Sequence, residues 1–303
     1  MLHILVSIVV PRSLQSSVDM YSNRASQLCD VVCGMLYAFR SIRRFIVSTK
    51  SLLATDGQRS GVWGRLYEFG VQFVEEGVEA WQLPAGAVLA IIIVPLLVAA
   101  SGVGFALFGK GAYKWYIQED GFAENVQVLL LACTLLMAMA VTYREWFRGT
   151  RWVALMYAVL CCGFVFLIGE ELTWGQRIFQ WTTTATFAAI NKQNETNLHN
   201  IESVEQVFKW VQLLVGAYGF LLPLVIFNWK WPEWLKKELP AFIPPPTLMP
   251  AFAALFVWRL YRNLLPAPKQ FYFFVSEYNE VLELTLALGL FLFMVFQLRR
   301  KRE

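Results

Sequence analysis

AGAVLAIIIVPLLVAASGVGFALF, residues 85–108, carries no charged side chain at any position. About 20 apolar residues suffice for a helix to cross roughly 30 Å of hydrocarbon, so this stretch can span a bilayer by itself. Scanning outward from it with the same window finds five more apolar runs: Val126 to Tyr143, Trp152 to Gly169, Val211 to Phe227, Leu248 to Leu265 and Val281 to Leu298. Two of these are interrupted by charge, the fifth span by Arg259 and Arg262 and the sixth by Glu283, yet both stay predominantly apolar. The fold expected is all-α, a polytopic transmembrane helix bundle of about six spans.

Composition agrees with a lipid solvent. Apolar residues make up 57% of the 303 positions and charged ones 16%, too little charge to cover a soluble domain of this length. Twelve Trp and 24 Phe suit rings that pack between helices and anchor at the headgroup level. The net charge of +4 is modest, and the basic residues sit in short clusters beside apolar runs, so nucleic acid is not an expected partner; membrane lipid is. Cys133, Cys161 and Cys162 fall inside apolar runs and read as packing residues, while Cys29 and Cys33 form a lone CxxxC without a second ligand pair.

The loops fix an orientation. Arg40, Arg43, Arg44, Lys50, Arg59 and Arg65 precede the first span, Arg144, Arg148 and Arg151 join the second to the third, Lys230, Lys236 and Lys237 join the fourth to the fifth, and Arg299, Arg300, Lys301 and Arg302 close the chain. Cytoplasmic loops hold an excess of Lys and Arg, so both termini are expected in the cytoplasm. Residues 1–60 read as a poorly specified cytoplasmic leader and 61–303 as the transmembrane domain. Just ahead of the first span, Trp63, Leu66, Tyr67, Phe73, Val74, Val78 and Trp81 recur at helical spacing among Arg65, Glu75, Glu76 and Glu79, which predicts an amphipathic interfacial helix.

With that topology, four polar motifs meet on the outer face: QEDGFAEN at 118–125, GEELTWGQR at 169–177, NKQNETNLHN at 191–200 and SEYNE at 276–280. Polar groups at membrane depth commonly line a cavity or a pathway. Helix capping is the plain alternative for Glu119, Asp120, Glu124, Glu195, Glu202, Glu277 and Glu280, which lie near helix N-termini where a carboxylate is favoured. Glu170 and Glu171 cannot be explained so, because the third span ends at them and its carbonyl end repels negative charge. A cation, a shared proton, or donors such as Gln176, Arg177, Asn194 and Asn197 must compensate them. His199 follows Glu195 at i+4, so on a helix the two share a face and could serve as metal ligands or as a carboxylate-oriented imidazole. Glu171, Glu195 and His199 are the candidate ligands for a divalent metal, and an oxygen-rich set with one imidazole suits magnesium, calcium, manganese or iron. Arg259 and Glu283 lie at similar depths and are expected to pair, or else to mark an ion path.

GEELTWGQR and NETNLHN resemble motifs of uncharacterised bacterial multi-pass membrane proteins, over the part from the second span to the sixth. The resemblance implies a bacterial inner membrane and brings no activity with it. Three readings of function stay open: a membrane enzyme acting on a lipid or lipid-linked substrate, with Glu170, Glu171, Glu195 and His199 as acid, base or ligands; a transporter or complex subunit binding ions, lipid or a partner in the same cavity; and a purely structural role for the polar motifs.

Overall fold

The computed structural model describes residues 62–118, 121–228 and 239–300. The expected leader, the Glu119 and Asp120 pair, the KWPEW segment and the last three residues lie outside them. Contacts group Gly70 onward into one compact unit, and of the described residues only Val62–Phe69 falls in the other.

The described residues are mostly helical, with a single isolated bridge between Asn191 and Ile201. The elements are α1 (Val62–Trp81), α2 (Ala85–Leu107), α3 (Lys110–Ile117), α4 (Phe122–Phe147), α5 (Arg151–Glu171), α6 (Gln176–Phe179), α7 (Ala185–Ile190), α8 (Glu202–Asn228), α9 (Met249–Leu264), α10 (Tyr272–Glu277) and α11 (Asn279–Arg299). Six stretches are long and apolar enough to cross a membrane: Ala85–Leu107, Lys110–Phe147, Arg151–Glu171, Glu202–Ile226, Leu239–Leu264 and Lys269–Arg299. The chain is thus a multi-pass α-helical membrane protein, and each of the six apolar runs read from the sequence falls on one of these stretches, overrunning it by at most one residue.

The two spans that carry charge are the ones the bundle encloses. Half of the apolar window of Leu239–Leu264 and 56% of that of Lys269–Arg299 is buried, against 22% for Ala85–Leu107. The most apolar span faces lipid, while α11 runs through the interior and buries Val281, Leu284, Ala287, Phe293 and Met294. Charge survives in the interior helices because protein, not lipid, surrounds it.

Small residues allow the close crossings. A Cβ on Gly219 of α8 would lie 2.0 Å from the Phe252 ring of α9, so only glycine fits beneath that ring. Between the ends, the core is Leu131, Phe164, Phe252, Phe293 and Met294, all nearly inaccessible. Thr134 and Thr285 are buried there, and each returns its hydroxyl to its own helix, donating to Leu130 and Val281 carbonyls.

At one end the bundle is basic. Arg144 pairs with Glu145 at 2.9 Å and donates to the Leu298 carbonyl, and the Thr150 hydroxyl donates to the other Glu145 oxygen at 2.7 Å. The α1 helix forms as its periodicity predicts, and its end docks on protein: Trp81 is 1% exposed, donates to the Thr247 hydroxyl at 2.8 Å and packs on Phe296. Pro244 and Pro245, beside Thr247, are buried as well.

Candidate functional site

The opposite end gathers the polar motifs. Helix α5 stops at Glu171 because the next residues cannot continue it: Thr173, Trp174 and Gly175 take positive φ angles of 51°, 52° and 92°. Such angles are uncommon for a non-glycine residue and costly for a β-branched one, so this turn is held by its surroundings. It folds the Trp174 ring back onto Gly169, where a Cβ would stand 3.0 Å from the ring. That return brings the indole N–H to Glu170.

Glu170 is 2% exposed and is the hub of the site. One carboxylate oxygen accepts Trp174 Nε1–H at 2.6 Å; the other accepts the backbone N–H groups of Leu198 and His199 at 2.8 and 2.9 Å and lies 3.3 Å from His199 Nδ1. The compensation demanded by a carboxylate at a helix C-terminus is therefore supplied by an indole, two amides and an imidazole. None of these is among the donors expected from the sequence.

Residues 191–201 are not helical, so the expected Glu195–His199 pairing on one helix face does not form. Asparagines organise the segment as a loop. Asn191 donates to the Asn197 carbonyl and side chain and accepts the amides of Gln193 and Glu195, while the bridge to Ile201 closes the base. Side chains that bond nearby backbone compete with helix formation, and here they win. Glu195 accepts from Asn197 at 2.6 Å and from Asn200 at 3.1 Å, and Asn197 is 1% exposed. Gln176 links this loop to the preceding one, accepting the Thr196 amide at 2.8 Å and donating to the Thr183 hydroxyl at 2.8 Å. Thr183 in turn donates to the carbonyl of Asn194, whose side chain is exposed.

Close to His199 lies a half-buried acidic group. Gln127 donates to Glu171 at 2.8 Å, and Arg177 joins the Glu171 carbonyl to the Glu124 carboxylate. Arg259 and Glu283 approach to 4.0 Å with Gln212 between them: Arg259 Nε donates to Gln212 Oε1 at 2.5 Å and Gln212 Nε2 to Glu283 Oε1 at 2.7 Å. Asn279 also donates to Glu283. Glu280 lies within electrostatic reach of Glu283, Glu171, Glu124 and Glu277, the last exposed at the rim. Five carboxylates, Glu124, Glu170, Glu171, Glu280 and Glu283, thus meet two guanidinium groups and one imidazole. The amide oxygens of Gln127 and Asn279 are buried here with no donor from the described residues. So many acceptors at low dielectric call for added protons or another positive ligand.

His199 sits between this group and solvent, its side chain 34% exposed. Burial works against its charged form, but the hydrogen bond to Glu170 and the negative charges of Glu171 and Glu283 outweigh that and hold its pKa above the ordinary imidazole value. The three candidate metal ligands take separate partners: Glu171 binds Gln127, Glu195 binds asparagines and His199 binds Glu170. Among the described residues no group of three or more His, Cys, Asp or Glu side chains is arranged to hold a metal ion.

Gln127 and Gln212 escape a reading based on charge. The signal that would find them is an amide inside an otherwise apolar span within two to three turns of its polar end. Trp174 is 45% exposed yet also holds Glu170. No family model, curated protein or solved structure matches the chain.

Proposed function

We propose that the polar end of the bundle is a one-sided acid–base site acting on a lipid or lipid-linked substrate at the membrane interface, on the extracytoplasmic side of a bacterial inner membrane. The observation that carries this reading is the Glu170 carboxylate, fixed by Trp174 and two amides and aligned with His199 Nδ1. With Nδ1–H directed at Glu170, the neutral imidazole leaves Nε2 free to take a proton, the arrangement a general base needs. His199 exchanges the proton; Glu170 is a positioning residue; Glu171 and the acidic group close by provide places to hold it. Glu195 shapes the loop through Asn197 and Asn200.

Two features favour lipid over a soluble substrate and chemistry over passage. The segment beside His199 exposes Trp174, Ile178, Phe179, Trp181 and Ile190, apolar groups suited to the headgroup boundary. Between this end and the basic end the core is apolar, and its buried threonine hydroxyls are spent on their own helices.

The test is a comparison of total lipids, by mass spectrometry, from cells with no protein, the wild type, H199Q and E170Q at matched membrane levels. The wild type is expected to shift at least one lipid species. General acid–base catalysis contributes roughly 10²–10⁴-fold, so H199Q should lower that turnover by about this factor and E170Q by less. Identical lipid profiles for wild type and H199Q would remove the enzymatic reading.

A further inference from the structure

At the basic end, away from the acid–base site, helices α4 and α5 leave a groove of about 440 Å³ between them, lined by Met139, Thr142, Tyr143, Trp146 and Phe147 on one side and Ala158 and Cys161 on the other. The wall is nearly all hydrocarbon and aromatic ring, and its α4 side is open: Tyr143 is 67% and Phe147 71% exposed. The volume is in the range of small-ligand sites, roughly 300–1,000 Å³, and the lining suits an acyl chain.

The rim of the groove carries positive charge. Arg151, the first residue of α5, lies over the Trp146 ring at 5.9 Å, so its guanidinium stands directly above the groove wall. Arg148 follows Phe147 at the end of α4, and both arginines are exposed. Among the described residues, the acid nearest to them in sequence, Glu145, is engaged elsewhere. Glu145 is 1% exposed, and its two oxygens take Arg144 and the Thr150 hydroxyl. Two exposed guanidinium groups above an apolar slot make a headgroup-and-chain arrangement, and basic pockets between transmembrane helices commonly hold anionic lipid headgroups.

We propose that this groove binds one anionic phospholipid, its phosphate between Arg148 and Arg151 and an acyl chain along Tyr143, Phe147 and Cys161. The occupant is a membrane lipid and not a soluble phosphate, because the apolar wall is most of the surface offered. Rotation of the Arg151 guanidinium off Trp146 toward the phosphate exchanges a cation–π contact for a charge-assisted hydrogen bond, the stronger of the two.

The test uses the full chain in nanodiscs containing equal phosphatidylglycerol and phosphatidylcholine, released and examined by native mass spectrometry. The wild type should retain one phosphatidylglycerol in preference to phosphatidylcholine. R148Q/R151Q should lose that preference by roughly 30-fold, the effect of two arginines near a lipid surface. R148K/R151K should keep most of it. A158W, which fills the groove and leaves both arginines, should also lose the lipid, with unchanged helix content showing that the bundle still forms. Millimolar inorganic phosphate should not displace it. Equal retention in wild type and R148Q/R151Q would overturn the site. Retention in A158W, or displacement by phosphate alone, would overturn the groove as the seat of the chain.

Discussion

Glu170 ends a helix, where the local dipole disfavours an anion, and the chain answers with donors drawn from one turn and one loop. Replacing it with alanine leaves buried N–H groups without an acceptor, so E170A should lower stability by roughly 2–4 kcal/mol in detergent unfolding, and E170Q, which keeps one amide oxygen, by less. His199 gives the pH dependence. Its folded pKa is raised, so protonation favours the folded state. The stability it contributes is complete below the unfolded value of about 6.5 and is lost as pH rises through the folded value. The gap in melting temperature between wild type and H199Q should therefore shrink from pH 6 to pH 9, and it should be largely absent between E170Q and E170Q/H199Q; a gap that widens with pH contradicts the assignment. The sequence made legible that Glu170 needs compensation and that His199 is the one histidine near it. It could not reveal the donors, because two are backbone amides 28 and 29 positions away and the third is an indole that reaches back only through a left-handed turn.

Elements were legible in proportion to how far local pattern alone decides them. Span length and apolarity are properties of a window, so all six crossings could be read directly. The 191–201 segment could not: its Glu-x-x-x-His spacing fits a helix, but four asparagines offer the backbone other partners and a loop results. The interior position of α9 and α11 was legible only indirectly, through the charges that mark them as shielded from lipid. There Arg259 and Glu283 are joined through Gln212, and Asn279 also donates to Glu283. Removing one member strands the other, so R259A should cost about 3–5 kcal/mol. Neutralising both in R259Q/E283Q should cost less than the sum of the single changes when melting is followed in a double-mutant cycle; additive losses would show that the two side chains do not act as a pair.

At the scale of the molecule, an apolar core separates two polar ends of the described bundle: Glu124, Glu170, Glu171, Glu283 and His199 gather at one, and Arg144, Arg148 and Arg151 lie at the other. A site confined to one leaflet and a lipid groove at the opposite one both depend on that division. The sense of the bundle in the membrane is an expectation that rests on the Lys and Arg of the loops, a bias of insertion that no contact within the fold encodes. Cysteine labelling in a cysteine-free background measures it directly, at two exposed positions, Asn194 at the acidic end and Arg148 at the basic end. A membrane-impermeant maleimide applied to intact cells should modify N194C and leave R148C unmodified until the membrane is opened. Modification of R148C from outside with N194C protected would reverse the bundle, and modification of both from the same side would break the division between its ends on which the proposed site rests.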